Sequence, residues 1–189
     1  CLMTNHVHLV FQVGRDDTLS KTMHWISSSF SRRFNKLAGR HGHLWEGRFR
    51  STIIEGNTYF WRSMAYLDLN PVRAKMVATP LEYRWCGHRA LRDENPAVLD
   101  FHPFYLASGA DAAARYRSYA RFLEEESGRP AVSLATKYFV GSPRFVDGME
   151  KKFGLTQRGA WLRRETLSAD DGSSAVCVEP RLGGSQRPN

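Results

Sequence analysis

The sequence predicts a fold of mixed strands and helices with a helical second half, and three observations carry that expectation. Leu9-Val10-Phe11-Gln12-Val13 is a run of strand formers stopped by Gly14; Met23, Ile26, Phe30, Phe34 and Leu37 recur at intervals of three and four; and the alternation returns to charged and apolar residues from Arg48 to Ile54. At 189 residues the chain is long enough for one domain of ordinary size or a domain with a small appendage. Hydrophobic residues make up 42%, which suits a buried core and excludes a mostly disordered chain. No apolar run approaches the roughly 20 residues that cross a bilayer, so no membrane partner is expected.

The first element carries a pair of candidate metal ligands. Alternate side chains of an extended strand share a face, so His6 and His8 would stand side by side, roughly 6 to 7 Å apart. A divalent cation fits between two imidazoles at that spacing. An exposed polar edge is the competing reading of the same two residues. The chain opens on Cys1, within what reads as a strand leading into the histidines, and the N-terminal part of the natural domain is expected to be missing.

Arg15-Asp16-Asp17 reads as a turn, after which Thr18 or Ser20 can cap a helix running to Leu37. Its apolar stripe is read as core-facing, and the opposite face carries Lys21, Arg32, Arg33 and Lys36, as a solvated surface or as phosphate contacts. Gly39-Arg40-His41-Gly42-His43 is a glycine-rich loop; its second His-x-His lacks rigid geometry. The strand that follows projects Arg48 and Arg50 from one side.

Asn57 is read as the cap of a helix from Thr58 to Leu69, with Phe60, Met64 and Leu67 turned to the core. Arg62, Tyr66 and Asn70 are spaced by four and form a polar, basic stripe that Arg73 would continue if the helix did not break. Asn70-Pro71 is expected to break it, because a residue before proline is biased away from helical geometry. Asn70 is then either a functional residue or the cap of a short segment from Val72 to Val77.

The second half is less informative. Residues 80–103 read as irregular, with Trp85, Arg89 and Leu91 packing back. A helix is expected from Asp111 to Glu126. Two short helices about Gly141-Ser142-Pro143 read as a helix-turn-helix or a plain helical hairpin. Serine, glycine and aspartate beyond Ser168 suggest a disordered tail. The division expected is 1–90, 91–129, 130–167 and 168–189.

With 27 Lys and Arg against 19 Asp and Glu, the net charge is +8, which favours a polyanionic partner, nucleic acid first. Cys1, Cys86 and Cys177 are far apart and lack metal-ligand spacing, so neither a disulfide framework nor a zinc ribbon is indicated and a reducing cytoplasm is the expected setting. Tyrosine attacks phosphorus when its oxygen, normally of pKa near 10, loses its proton and the phosphate charge is neutralised. A cation between two neutral imidazoles would polarise a phosphate oxygen and orient the scissile bond.

Three blocks in order, Met3-Thr4-Asn5-His6-Val7-His8-Leu9-Val10, Gly42-His43-Leu44-Trp45-Glu46-Gly47-Arg48-Phe49 and Tyr66-Leu67-Asp68-Leu69-Asn70-Pro71-Val72-Arg73-Ala74, resemble the HUH single-tyrosine transposases, in their REP-associated, IS-like branch. The resemblance covers roughly the first half of the chain. It implies a ferredoxin-like α+β fold, with His6 and His8 as metal ligands, Asn70 as a third polar ligand and Tyr66 as the nucleophile that forms a 5′-phosphotyrosine link. It also implies Mg²⁺ or Mn²⁺ as cofactor, manganese being the easier fit to imidazole, and single-stranded DNA, often beside a small hairpin, as substrate. Arg32, Arg33, Arg48, Arg50, Arg62 and Arg73 are the expected DNA contacts, and the active form is a monomer or a homodimer. Trp85-Cys86-Gly87-His88 departs from the Trp-Ser-Ser-Tyr pattern of the family. A domesticated, non-catalytic nucleic-acid-binding protein is the alternative function.

Overall fold

A computed structural model describes residues 1–12, 18–56, 58–97, 99–129, 138–155, 174–179 and 182. Its centre is a four-stranded mixed sheet in the order β1-β4-β2-β3, made of β1 (Leu9–Gln12), β2 (Arg50–Glu55), β3 (Phe139–Val140) and β4 (Ser174–Glu179). β4 runs antiparallel to both neighbours, with Val10 opposite Cys177 on one side and Thr52 opposite Cys177 on the other, while β2 and β3 are parallel. The sheet is therefore held together by β4, which joins β1 to β2. Residues 174–179 lie within the stretch expected to be disordered; the backbone ladder to two neighbours accounts for the difference, and most of the remainder of 168–189 lies outside the described residues.

Strand parity assigns the helices to two faces. Leu9, Phe11 and Phe49 gather around Leu19 and Met23 of α1 (Leu19–Leu37), and Ile53 and Phe139 around Met149 of α6 (Pro143–Phe153). Val10 and Ile54 face the other way, onto Phe60 and Leu67 of α2 (Thr58–Arg73). Ile54 is fully buried, a contribution of roughly 1.5 to 3 kcal/mol for a side chain of this size. The far side of α2 packs through Ala65 and Leu69 on Leu91 of α3 (His88–Arg92), Tyr105 of α4 (Pro103–Leu106) and Tyr119 and Leu123 of α5 (Ala112–Ser127). α2 is thus a buried layer between sheet and helices.

Local chemistry explains the ends of these helices. Thr18 accepts from the Lys21 backbone N–H at 3.3 Å, Asp111 from Ala114 at 2.7 Å and Ser142 from Phe145 at 3.3 Å, each satisfying a donor of a first turn. The expected cap of α2, Asn57, lies outside the described residues.

One expectation is corrected. α2 does not break at Asn70-Pro71 but runs on to Arg73, so Asn70 is not a cap. Proline removes one helical N–H, whose acceptor would be the Leu67 carbonyl; Cys86 Sγ approaches that oxygen at 4.0 Å, and the buried Pro71 ring adds packing that offsets the loss. Beyond Arg73 the chain leaves the helix through Lys75, which takes a left-handed φ of 57°, as the Met76 N–H returns to the Pro71 carbonyl at 2.9 Å. The helix-turn-helix or helical hairpin read around Gly141 falls only partly within the described residues. The segment entering the Gly141 turn is strand β3, paired with β2, and an upstream helix would fall on 130–137, outside the described residues. Between 80 and 106 the expected irregular chain holds a short 3-10 turn at Pro80–Glu82 besides α3 and α4.

Candidate DNA-cleaving site

The two histidines sit just before β1, in a small hairpin arm formed by residues 1–8. Leu2 and Val7 bridge, Met3 donates to the His6 carbonyl at 2.9 Å, and His8 donates to the Cys1 carbonyl at 2.9 Å. Tyr83 and Trp85 fasten this arm: the Tyr83 hydroxyl donates to the Leu2 carbonyl at 2.6 Å and Leu2 donates to the Trp85 carbonyl at 2.8 Å. On the other side the Leu182 backbone donates to the Asn5 carbonyl at 2.7 Å. The strand begins later than the sequence predicts, yet alternation still sends both imidazoles to one side.

The rings converge. His6 Nε2 and His8 Nε2 are 3.0 Å apart, and the rings meet edge to face. His6 Nδ1 lies 2.7 Å from the side-chain oxygen of Asn5, an acceptor, so the proton of a neutral His6 sits on Nδ1 and the lone pair of Nε2 faces His8. Two nitrogens each about 2.1 Å from one cation, at right angles, stand about 3 Å apart, so the separation of this pair matches that of two ligands of one divalent ion, once His8 Nε2 presents a lone pair as well. His8 is buried and His6 half-buried. No trio of His, Cys, Asp and Glu suited to a metal occurs among the described residues, so a cation here would draw its further ligands from other oxygen donors.

Tyr66 comes from the opposite wall. Its ring meets that of His8 edge to face with centroids 5.3 Å apart, and it is half-buried. Histidine pair and tyrosine, 58 residues apart in sequence, are thereby brought together across the β1–α2 contact. Asn70 follows one turn along α2, with its amide nitrogen donating to the Tyr66 carbonyl at 2.8 Å.

The expected arginines divide into two groups. Arg32, Arg33, Arg48 and Arg50 are exposed, and Arg50 shares strand parity with Ile54, the face α2 covers. Arg62 and Arg73 are instead tied to the end of α5: Arg62 Nε lies 3.7 Å from Glu126, and Arg73 donates to the Glu126 carbonyl at 3.4 Å. Sequence spacing put them on the stripe of Tyr66 but did not show Glu126, which approaches from another helix. The sequence also gave no sign of the roles of Asn5 and Tyr83, although the adjacency of Asn5 to His6 was a usable signal.

A family model described as "Transposase IS200 like" matches residues 1–68, which contain the histidine pair and Tyr66. The first third of the chain is similar to IS200-like transposases, and this supports a transposase function that acts on DNA. No curated protein and no solved structure matches the chain. No helix among the described residues is long and apolar enough to cross a membrane.

Proposed function

We propose that the chain is a tyrosine transposase of the HUH type that cleaves and rejoins single-stranded DNA, with Tyr66 as nucleophile. The observation that carries this reading is the approach of His6 Nε2 and His8 Nε2 to 3.0 Å, with the His8 ring edge to face with that of Tyr66. A divalent cation, Mg²⁺ or Mn²⁺, would be held by these two nitrogens and Asn70 Oδ1 and would supply charge neutralisation at the phosphate.

The chain's own residues do the rest. Asn5 fixes the tautomer of His6 and so presents a lone pair. Tyr66 Oη bonds to phosphorus while the bond from phosphorus to the 3′ oxygen breaks; the phenol proton passes overall to that oxygen. One end is then a free 3′ hydroxyl and the other a 5′-phosphotyrosine, and attack by a second 3′ hydroxyl reverses the step with a new partner. Arg48 and Arg50 meet the phosphate backbone, as do Arg32 and Arg33 on α1. A hairpin beside the cleavage point is the expected form of the substrate, and the REP-associated branch the expected subfamily.

Incubation with labelled single-stranded hairpin DNA and Mn²⁺ should give a denaturation-resistant protein–DNA adduct. Tyr66→Phe should abolish the adduct and leave binding within about twofold, since one hydroxyl in a half-buried ring carries little binding energy. An adduct that persists in the variant removes Tyr66 from the role, and Tyr59 is then the candidate to test. Metal-independent binding with no adduct under any condition would favour the non-catalytic alternative.

A further inference from the structure

The apolar stripe of α1 is covered along half its length. Leu19 and Met23 are buried and Ile26 packs with them against β1, but Phe30 is 47% exposed, Phe34 37% and Leu37 77%. The helix overhangs the sheet, and residues read from the sequence as core form a surface. Trp45 folds back beside them, its indole N–H donating to the Ser27 carbonyl at 3.0 Å.

These rings form a row. Phe30 and Phe34 stack with centroids 6.0 Å apart, Trp45 is tilted against Phe30 at 5.5 Å, and the Arg40 guanidinium stands 5.9 Å from the Phe34 centroid at the other end. Arg33 and Lys36 stand on the basic face of the same helix, and α1 contains no acidic residue.

We infer that Phe30, Phe34 and Trp45, with Arg40, form a stacking platform for unpaired bases of single-stranded DNA, a second binding surface on α1 apart from the cleavage site. Aromatic faces beside cations match an unpaired strand, whose bases need a π-surface and whose phosphates need positive charge. Charge also argues against a second copy of the chain as occupant. A two-fold contact would lay this stripe on itself and bring together two basic helices, each with its Arg40, with no acidic residue of α1 on either side to pair them. The inference rests on the DNA-acting reading, but not on Tyr66 as nucleophile.

The test uses the full chain carrying Tyr66→Phe, without added metal, and a fluorescein-labelled oligothymidylate followed by anisotropy. Phe34→Ala should weaken binding roughly tenfold or more, the loss expected for one stacked base, and Phe34→Tyr should restore it. An abasic deoxyribose-phosphate strand should bind the parent at least as weakly as oligothymidylate binds Phe34→Ala, because it loses the bases on every ring of the row. Trp45→Ala, read with the same probe, repeats the test at a second ring, and circular dichroism checks that each variant is folded. Equal affinities for folded Phe34→Ala and its parent, or equal affinities for abasic and base-bearing strands, would overturn the platform. So would self-association of the parent that Phe34→Ala abolishes. If oligothymidylate shows the predicted pattern while the chain with Tyr66 intact forms no adduct, the platform stands and the cleavage reading fails.

Discussion

Helix α2 carries an imidazole–tyrosine cluster on each side, and the two are opposite in kind. Toward β1 stand His6, His8 and Tyr66, converging at a half-buried surface. Toward α3 and α5 stand His88, Tyr119 and Tyr116, gathered with Cys86 around Asp68. Asp68 Oδ2 accepts from His88 Nδ1 at 2.8 Å and from the Tyr119 hydroxyl at 2.7 Å, and Oδ1 accepts from Cys86 Sγ at 3.1 Å. The Tyr116 hydroxyl meets His88 Nε2 at 3.1 Å. Burial, and secondly the Asp68 carboxyl, holds the Tyr119 hydroxyl well above its ordinary range. The same side-chain types thus make a candidate reactive site where rings converge near solvent and a structural lock where every partner is inside the protein.

Asp68→Ala should break the lock most severely. It strands three donors, from α3, from α5 and from the turn that leads into α3, so a loss of roughly 3 to 5 kcal/mol is expected in the stability read from urea unfolding. A loss under about 1 kcal/mol would mean that the network contributes little beyond packing.

Two tyrosine-to-phenylalanine changes sharpen the contrast. Tyr119→Phe removes a donor to Asp68 and should cost about 1 to 3 kcal/mol while leaving adduct formation intact below the melting temperature. Tyr66→Phe should do the reverse, with a stability change of at most about 1 kcal/mol and no adduct. If both variants lose stability and neither loses the adduct, the two sides of α2 do not differ in function.

Periodicity and residue type made much of the candidate site readable. His-x-His at the edge of a strand-forming run and Tyr66 on an amphipathic helix are local signals, and both survive in the structure although the strand starts at Leu9 and α2 continues through Pro71. The long-range partners were illegible. Nothing local in Ser174–Glu179 says that it inserts between β1 and β2, and a serine- and glycine-containing stretch reads as disorder until its neighbours are known. The Asp68 network was hidden for a related reason: Asp68 follows Tyr66 by two residues and faces the other way, and its donors come from 18 to 51 residues downstream. The uncovered half of the α1 stripe is the converse case, since periodicity gives a face but not the length of sheet available to cover it.

The smallest predicted effect concerns alkaline pH and isolates Cys86. Burial first, then the neighbouring Asp68 carboxyl, pushes its thiol up from 9.0 to about 12. Below pH 9 the thiol is protonated in both folded and unfolded chains, and its contribution to stability is fully present. Above that, the unfolded chain gives up the proton while the folded one keeps it, so stability falls as pH rises from 9 toward 12. The half-buried Tyr116 and the buried Tyr119 add their share from their ordinary value of 10.0 upward. Cys86→Ser preserves a donor to Asp68 but does not titrate, so its urea midpoint should hold level from pH 9 to 10 where that of the parent already declines, and the two curves should then fall together. Parallel curves from pH 9 would show that the thiol is not held protonated, and that the lock on this side of α2 is more open to water than its hydrogen bonds imply.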